Sequence, residues 1–127
     1  MEIGTVTTSN APKAGGHYSQ AVTFNGLVFV SGQLPINPVT GEKLLGPVEE
    51  QTEQCLKNID EILKAAGSGL SRALKITIYV SDMEAWAGVN KIYERMLGEH
   101  RPARAVVGVK ELHYGFKIEI EAIAAMS

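Results

Sequence analysis

Cysteine is nearly absent from this chain: Cys55 stands alone. One thiol can form neither a disulfide within the chain nor a cysteine-rich zinc site. Histidine is scarce as well. His17, His100 and His113 lie far apart and match no metal-ligand spacing, so they read as surface or loop residues, and no metal is expected. Basic blocks are missing: 12 Lys and Arg stand against 14 Asp and Glu, with both signs spread along the chain and a net charge of −2. The electrostatic footprint of a nucleic-acid binder is therefore lacking. No apolar run approaches membrane-spanning length, and no charged leader precedes an apolar stretch at the N-terminus, so a cytoplasmic protein with no membrane partner is expected. There is no Gly-x-Ser-x-Gly elbow, which argues against a serine hydrolase, and Ser31-Gly32-Gln33 carries too little glycine for a phosphate loop.

What is present fits one globular domain spanning residues 1–127. Apolar residues make up 45% of the chain and charged residues 20%. A chain of this length buries about two-thirds of its unfolded surface, enough for one core. Thr5 to Thr8 predicts a short edge strand. Ala21–Phe24 and Leu27–Val30 are β-rich runs joined by Asn25-Gly26, the strongest short hairpin signal. Ser31-Gly32-Gln33 follows directly, then a loop through Gly46. Pro47 suits a helix start, and Cys55, Leu56, Ile59, Ile62, Leu63 and Ala66 make an apolar stripe that ends at Gly67. Leu74, Ile76, Ile78 and Val80 then alternate with Lys75, Thr77 and Tyr79, the mark of a strand with one buried face. Ser81-x-x-Glu84 reads as a capping box for a second helix. That helix carries Trp86, Val89, Ile92, Tyr93, Met96 and Leu97, a stripe read as core packing, and stops at Gly98. Strands over Ala103 to Leu112 and Phe116 to Ala125 close the chain.

These elements predict an α+β fold: a mixed β-sheet with two helices packed on one face. Val28, Val30, Val106 and Ile123 are assigned to the other face. Nothing in the chain is left to cover that face, so an oligomer is expected to bury it.

The last two strands carry the chemistry. Arg104 can hold a small carboxylate through paired hydrogen bonds. Glu119 and Glu121 share a strand face, and a carboxylate can move a proton or aim a water. On residue types alone, Arg104 reads equally well as a structural ion-pair partner of Glu119 or Glu121.

Tyr18-Ser-Gln-Ala, Val30-Ser-Gly-Gln-Leu-Pro35, Val89-Asn90, Arg101-Pro-Ala-Arg104 and Ile118-Glu-Ile-Glu-Ala-Ile-Ala124, taken together and in this order, resemble the Rid family, also called the YjgF or endoribonuclease L-PSP family. The resemblance covers essentially the whole chain. It implies a chorismate-mutase-like fold and a homotrimer with clefts between subunits. It also implies a cofactor-free hydrolysis of reactive enamines and imines, such as 2-aminoacrylate and 2-iminopropanoate, to a 2-keto acid and ammonia. Carried over by position, Arg104, Glu119 and Tyr18 are the implied catalytic residues. Arg104 clamps the carboxylate, and Glu119 orients or activates water. Ser31, Gly32, Asn90 and Val106 are the implied substrate-binding positions, with Gly32 offering a backbone N–H. The motif match alone selects Glu119 over Glu121, which is left as a salt-bridge residue. Three departures stand out. Val106 occupies a position where many members carry cysteine, His17 replaces a common proline, and the loop before Pro102 is short. The alternatives to an imine deaminase are a trimer that senses 2-keto acids and, less favoured, an RNA-cleaving translation inhibitor.

Overall fold

The computed structural model describes residues 2–127. Strands β1 (Gly4–Val6), β2 (Ala21–Phe24), β3 (Leu27–Gln33), β4 (Ala73–Val80), β5 (Ala103–Gly108) and β6 (Ile118–Ala125) form one sheet in the order β1-β2-β3-β6-β4-β5. Only β4 and β5 run parallel, so the sheet is mixed. Helices α1 (Val48–Ala65) and α2 (Trp86–Leu97) cover one face. This is the α+β architecture that the hydrophobic periodicity predicts.

The local signals act as their chemistry dictates. Asn25 and Gly26 both take positive φ, 51° and 79°, as a type I′ turn requires. Pro47 caps α1, whose first turn carries Glu49 and Glu50. Cys55, Leu56, Ile59, Ile62 and Leu63 on its inner face are fully buried. Gly67 and Gly98 stop the two helices in left-handed conformations that cost glycine little.

Other boundaries move for identifiable reasons. The expected Ser81–Glu84 capping box is replaced by a 3₁₀ turn over Met83–Ala85, capped by Asp82, whose Oδ1 accepts from the Glu84 N–H at 2.9 Å. β5 ends at Gly108 rather than Leu112, because its one neighbour, β4, ends at Val80; Val109 N–H donates the last bond to the Val80 carbonyl. β6 starts at Ile118, after a 3₁₀ turn over His113–Gly115. β1 covers Gly4–Val6 rather than reaching Thr8, whose N–H is taken by the Gln20 side chain at 2.7 Å. β3 runs through Ser31 and Gly32 to Gln33, with a register shift against β6 between Val30 and Gln33. That shift is a bulge, which bends a strand and re-aims its side chains.

Face assignment needs one larger correction. Val28 and Val30 point toward the helices, at 0% and 5% exposure. Val106 lies opposite Ile78 and packs against the same core. Ile123 does lie on the helix-free face, opposite Phe29. Phe29 and Val107 remain substantially exposed there. Leu27–Val30 is apolar at every position, so it offers no alternation from which to read a face.

The loop after β3 is tied down by α1. Asn58 is buried, and its Nδ2 donates to the Leu34 and Ile36 carbonyls at 3.2 and 3.0 Å. Removing one partner from a buried hydrogen bond costs about 1–3 kcal/mol. Asn58→Ala is predicted to lower unfolding stability by about that amount in urea titrations followed by circular dichroism; unchanged stability would show that water replaces the amide.

Candidate active site

The sequence-selected residues gather in two clusters, one on each side of the sheet. Arg104 lies opposite Ile76 on β4, and Ile76 is fully buried beneath the helices. Glu119 lies opposite Tyr79, whose side chain has the other parity. The expectation that the last two strands bring Arg104 and Glu119 together is therefore not met within one chain. Successive side chains alternate across a sheet, and the register of β4 with its two neighbours sends these two to opposite faces.

The first cluster is built on the edge strand β5 and the outer side of α2. Arg104 Nη1 donates to Asn90 Oδ1 at 3.1 Å. Asn90 Nδ2 in turn donates to Glu94 Oε1 at 3.1 Å, which fixes the amide's orientation. The guanidinium carbon lies 4.7 Å from the Trp86 ring centroid and 4.9 Å from that of Tyr93. Trp86 and Tyr93 thus do more than pack the core; their rings form a shelf for the cation. Each such contact contributes roughly 0.5–1 kcal/mol at an exposed site. Together with the Asn90 bond this offsets most of the ~2 kcal/mol of rotamer entropy an arginine loses when fixed. Among the described residues Arg104 makes no ion pair with Glu119, Glu121 or any other acid. It borders a cavity of about 680 Å³ together with Asn90, His100, Arg101 and Pro102. Val106 follows two residues along the same face and is half-buried; it supplies an apolar wall and no thiol. His100 is not a free loop residue: its Nε2 is 2.7 Å from the Ala73 carbonyl, which ties the approach to β5 onto β4.

The second cluster lies at the bulge of β3. A Cβ built on Gly32 would overlap Glu119 Oε2, so the carboxylate rests directly against glycine backbone. Ser31 Oγ donates to the Ser19 carbonyl at 2.7 Å and Ser31 N–H to the Gln20 carbonyl at 3.0 Å. Its hydroxyl proton is committed to anchoring the loop that presents Tyr18. Tyr18 is 52% exposed, and its hydroxyl accepts from Gly15 N–H at 3.1 Å, leaving its own proton free to donate. Tyr18 and Gly32 line a cavity of about 330 Å³. His113 and Tyr114 line it too. Sequence reasoning did not find this pair, because a lone His-Tyr in a short connection matches no motif. The nearest signal is position, immediately before the strand that carries Glu119.

Burial raises the Glu119 carboxyl above its ordinary range; the neighbouring Glu121 charge adds to the shift and His113 opposes it. Glu121 is no salt-bridge residue: among the described residues its partner is the Tyr79 hydroxyl, which donates to Oε1 at 3.2 Å. Beneath the bulge, Cys55 Sγ contacts the Gln33 carbonyl at 3.2 Å. Burial and the Glu119 charge push that thiol well up, so it remains protonated and offers no nucleophile.

The sheet carries an arginine without an acid partner on its edge and a half-buried glutamate on its open face, and the described residues offer no cluster of metal ligands. The chain belongs to the endoribonuclease L-PSP family, whose model matches residues 8–126. It is 46% identical over 119 residues to a RutC family protein of Pyrococcus horikoshii, covering 94% of each chain. It is 44% identical over 119 residues to the 2-iminobutanoate/2-iminopropanoate deaminase of Rattus norvegicus, covering 94% of this chain and 87% of the rat protein. The crystal structure of E. coli TdcF with bound serine superposes with a TM-score of 0.93 at 37% identity, covering 98% of this chain and 99% of that one. The Rid-family membership implied by the sequence motifs is thus shown.

The raised Glu119 carboxyl makes a testable statement about stability. The folded protein keeps this proton to higher pH than the unfolded chain does. Its stabilising contribution is complete below the ordinary carboxylate range and is lost as pH rises through the raised value. Glu119→Gln is therefore predicted to melt above the wild type at about pH 7 and level with it at about pH 4. Thermal melts at both pH values check this, and a variant that melts lower at neutral pH contradicts it.

Proposed function

We propose that this protein hydrolyses reactive 2-imino acids and their enamine tautomers, of the 2-aminoacrylate and 2-iminopropanoate type, to 2-keto acids and ammonia. The observation that carries this reading is Arg104. It is held by Asn90 and two aromatic rings, yet lacks an acid partner among the described residues. Such an arginine is set for a carboxylate from outside. The similar rat protein is named for this activity, which supports the choice.

The chemistry asks little beyond these groups. An enamine is first protonated at carbon to give the imine, and Tyr18 is the free proton donor in the site. The imine carbon is already electrophilic, so it needs a placed water more than a strong nucleophile. Glu119, with its raised carboxyl, takes a proton from that water as the oxygen bonds to C2. The proton passes to nitrogen, the C–N bond breaks, ammonia leaves, and the C2 oxygen becomes the keto group. No redox step occurs, and no cofactor is needed to balance the reaction.

The two clusters meet only if a second copy contributes. One subunit offers Arg104 and Asn90 at its β5 edge, and its neighbour offers Glu119, Gly32 and Tyr18 on its open sheet face. Such head-to-tail contacts close into a ring. A homotrimer with clefts at the subunit boundaries, working in the cytoplasm without membrane or nucleic-acid partners, is the assembly proposed. The exposed Phe29 and Val107 on the open face support burial there.

The serine in TdcF favours one second reading, a trimer that binds 2-keto or amino acids without turnover. Kinetics separate the two. With 2-iminopropanoate generated in situ by a dehydratase, the wild type is predicted to speed ammonia release. Losing the paired, charge-assisted bonds in Arg104→Ala is predicted to lower kcat/KM by on the order of 10²–10⁴. Arg104→Lys falls between, because an ammonium is a point charge without the planar fork. Full activity in a folded Arg104→Ala protein contradicts the assignment, and tight keto-acid binding without acceleration favours the sensor.

A further inference from the structure

Tyr114 is held in a left-handed conformation, φ 58° and ψ 13°. Asn25 is the one other non-glycine with positive φ among the described residues, and asparagine tolerates that region. A tyrosine there is strained, and glycine or asparagine would make the same turn at lower cost. The surroundings are built to hold it. Its ring lies 4.2 Å from the His113 ring and edge-on to Phe116 at 5.8 Å, between centroids. Lys43 Nζ sits 4.7 Å from its centroid. Phe116 is 1% exposed and so anchors the turn, whereas Tyr114 is 56% exposed. Its exposed part lines the same cavity as Tyr18, which is also more than half exposed. Strain kept for a half-exposed aromatic ring at a cavity wall points to a binding role for that ring.

The geometry of the substrate says which part of it arrives there. An imino acid is planar at C2, with three substituents spread around that carbon. In the reading above, the carboxylate points to Arg104 of a second copy, and the C=N unit faces Glu119. The third direction is that of the side chain, and Gly32, against which Glu119 rests, also borders the cavity lined by Tyr18 and Tyr114. That cavity measures about 330 Å³. It falls in the range of cavities that house small-molecule groups. A methyl or hydroxymethyl group would leave most of it to water. Leu34 and Ile36 complete an apolar wall.

We propose that Tyr114, together with Tyr18, forms a side-chain pocket that makes this protein selective for 2-imino acids with aromatic side chains. Two exposed rings facing one cavity favour a flat apolar group by stacking or edge contact. Lys13 and His113 also border the cavity, so an acidic side chain is the competing occupant that the experiment must separate. The proposal rests on the imine-hydrolysis reading, but the following experiment separates the two.

Imines are generated in situ from phenylalanine, alanine and aspartate by amino-acid oxidases, and their loss is followed by competition with semicarbazide trapping. The wild type is expected to show a kcat/KM for the phenylalanine-derived imine about tenfold above that for the alanine-derived one, the scale of a hydrophobic pocket's discrimination. Tyr114→Gly, which takes φ of 58° without strain, is expected to collapse that ratio toward one, and Tyr114→Phe to keep it. Inhibition of the wild type by phenylpyruvate, pyruvate and oxaloacetate gives a readout that needs no variant; phenylpyruvate should act at about tenfold lower concentration than either. Hydrolysis of the alanine-derived imine with equal ratios in wild type and Tyr114→Gly overturns the pocket and spares the function. A preference for the aspartate-derived imine or for oxaloacetate overturns it as well. No acceleration of any imine sinks both.

Discussion

The structure turns on the register of β4 between its two neighbours. Its parallel pairing with β5 puts Arg104 opposite Ile76, on the side of the helices. Its antiparallel pairing with β6 puts Glu119 opposite Tyr79, on the open side. A one-residue slip in either ladder would bring the two charged groups to one face, and a slip of β6 would also turn Ile118, Ile120 and Ala122 out of the core. All three are buried, so the register is held by the hydrophobic face itself. The separation of guanidinium and carboxylate across the sheet is therefore a consequence of core packing, and it leaves each chain with two separate clusters, the half-sites of the proposed assembly.

Each cluster is braced by the chain's own residues. Arg104 is aimed by an amide on α2 and by two rings rather than by a carboxylate, so its charge is not neutralised by its own support. Glu119 is aimed by the bulge in β3, where the lack of a side chain at Gly32 lets the carboxylate settle against the backbone. Burial then raises its proton affinity above that of an ordinary carboxylate. The loop bearing Tyr18 is tied to β3 through Ser31 and to the N-terminal segment through the Gln20 side chain, which bonds Thr8 and Pro12. Preorganisation of this kind suits the proposed imine substrate, for which little bond-making help is needed and orientation supplies most of the gain.

What the sequence reveals here is local, and what it hides is non-local. The Asn25-Gly26 turn, the α1 stripe from Cys55 to Leu63 and the Gly98 stop are all written in residues a few positions apart, and the fold class follows from them. The motif positions of Tyr18, Ser31, Gly32, Asn90, Arg104 and Glu119 are equally legible, and each is found beside a cavity or braced next to one. Their grouping is not, because strand register joins residues tens of positions apart. The same cause misplaces Val28 and Val30, which sit in an apolar run without alternation. Ser31 shows a finer limit: its type suggests chemistry, while its geometry spends the hydroxyl proton on the Ser19 carbonyl. The His113–Tyr114 turn is invisible for another reason, since nothing in a sequence marks a tyrosine as strained.

If the half-sites of different subunits combine, they can be supplied by different chains. Two inactive variants, Arg104→Ala and Glu119→Gln, mixed by co-refolding into shared oligomers, give the most direct test. Each variant alone should be nearly inactive, while the mixture should recover about a quarter of the wild-type sites, since a head-to-tail boundary draws its two halves from neighbouring chains at random. A mixture that exchanges subunits and stays as inactive as its components would contradict the account.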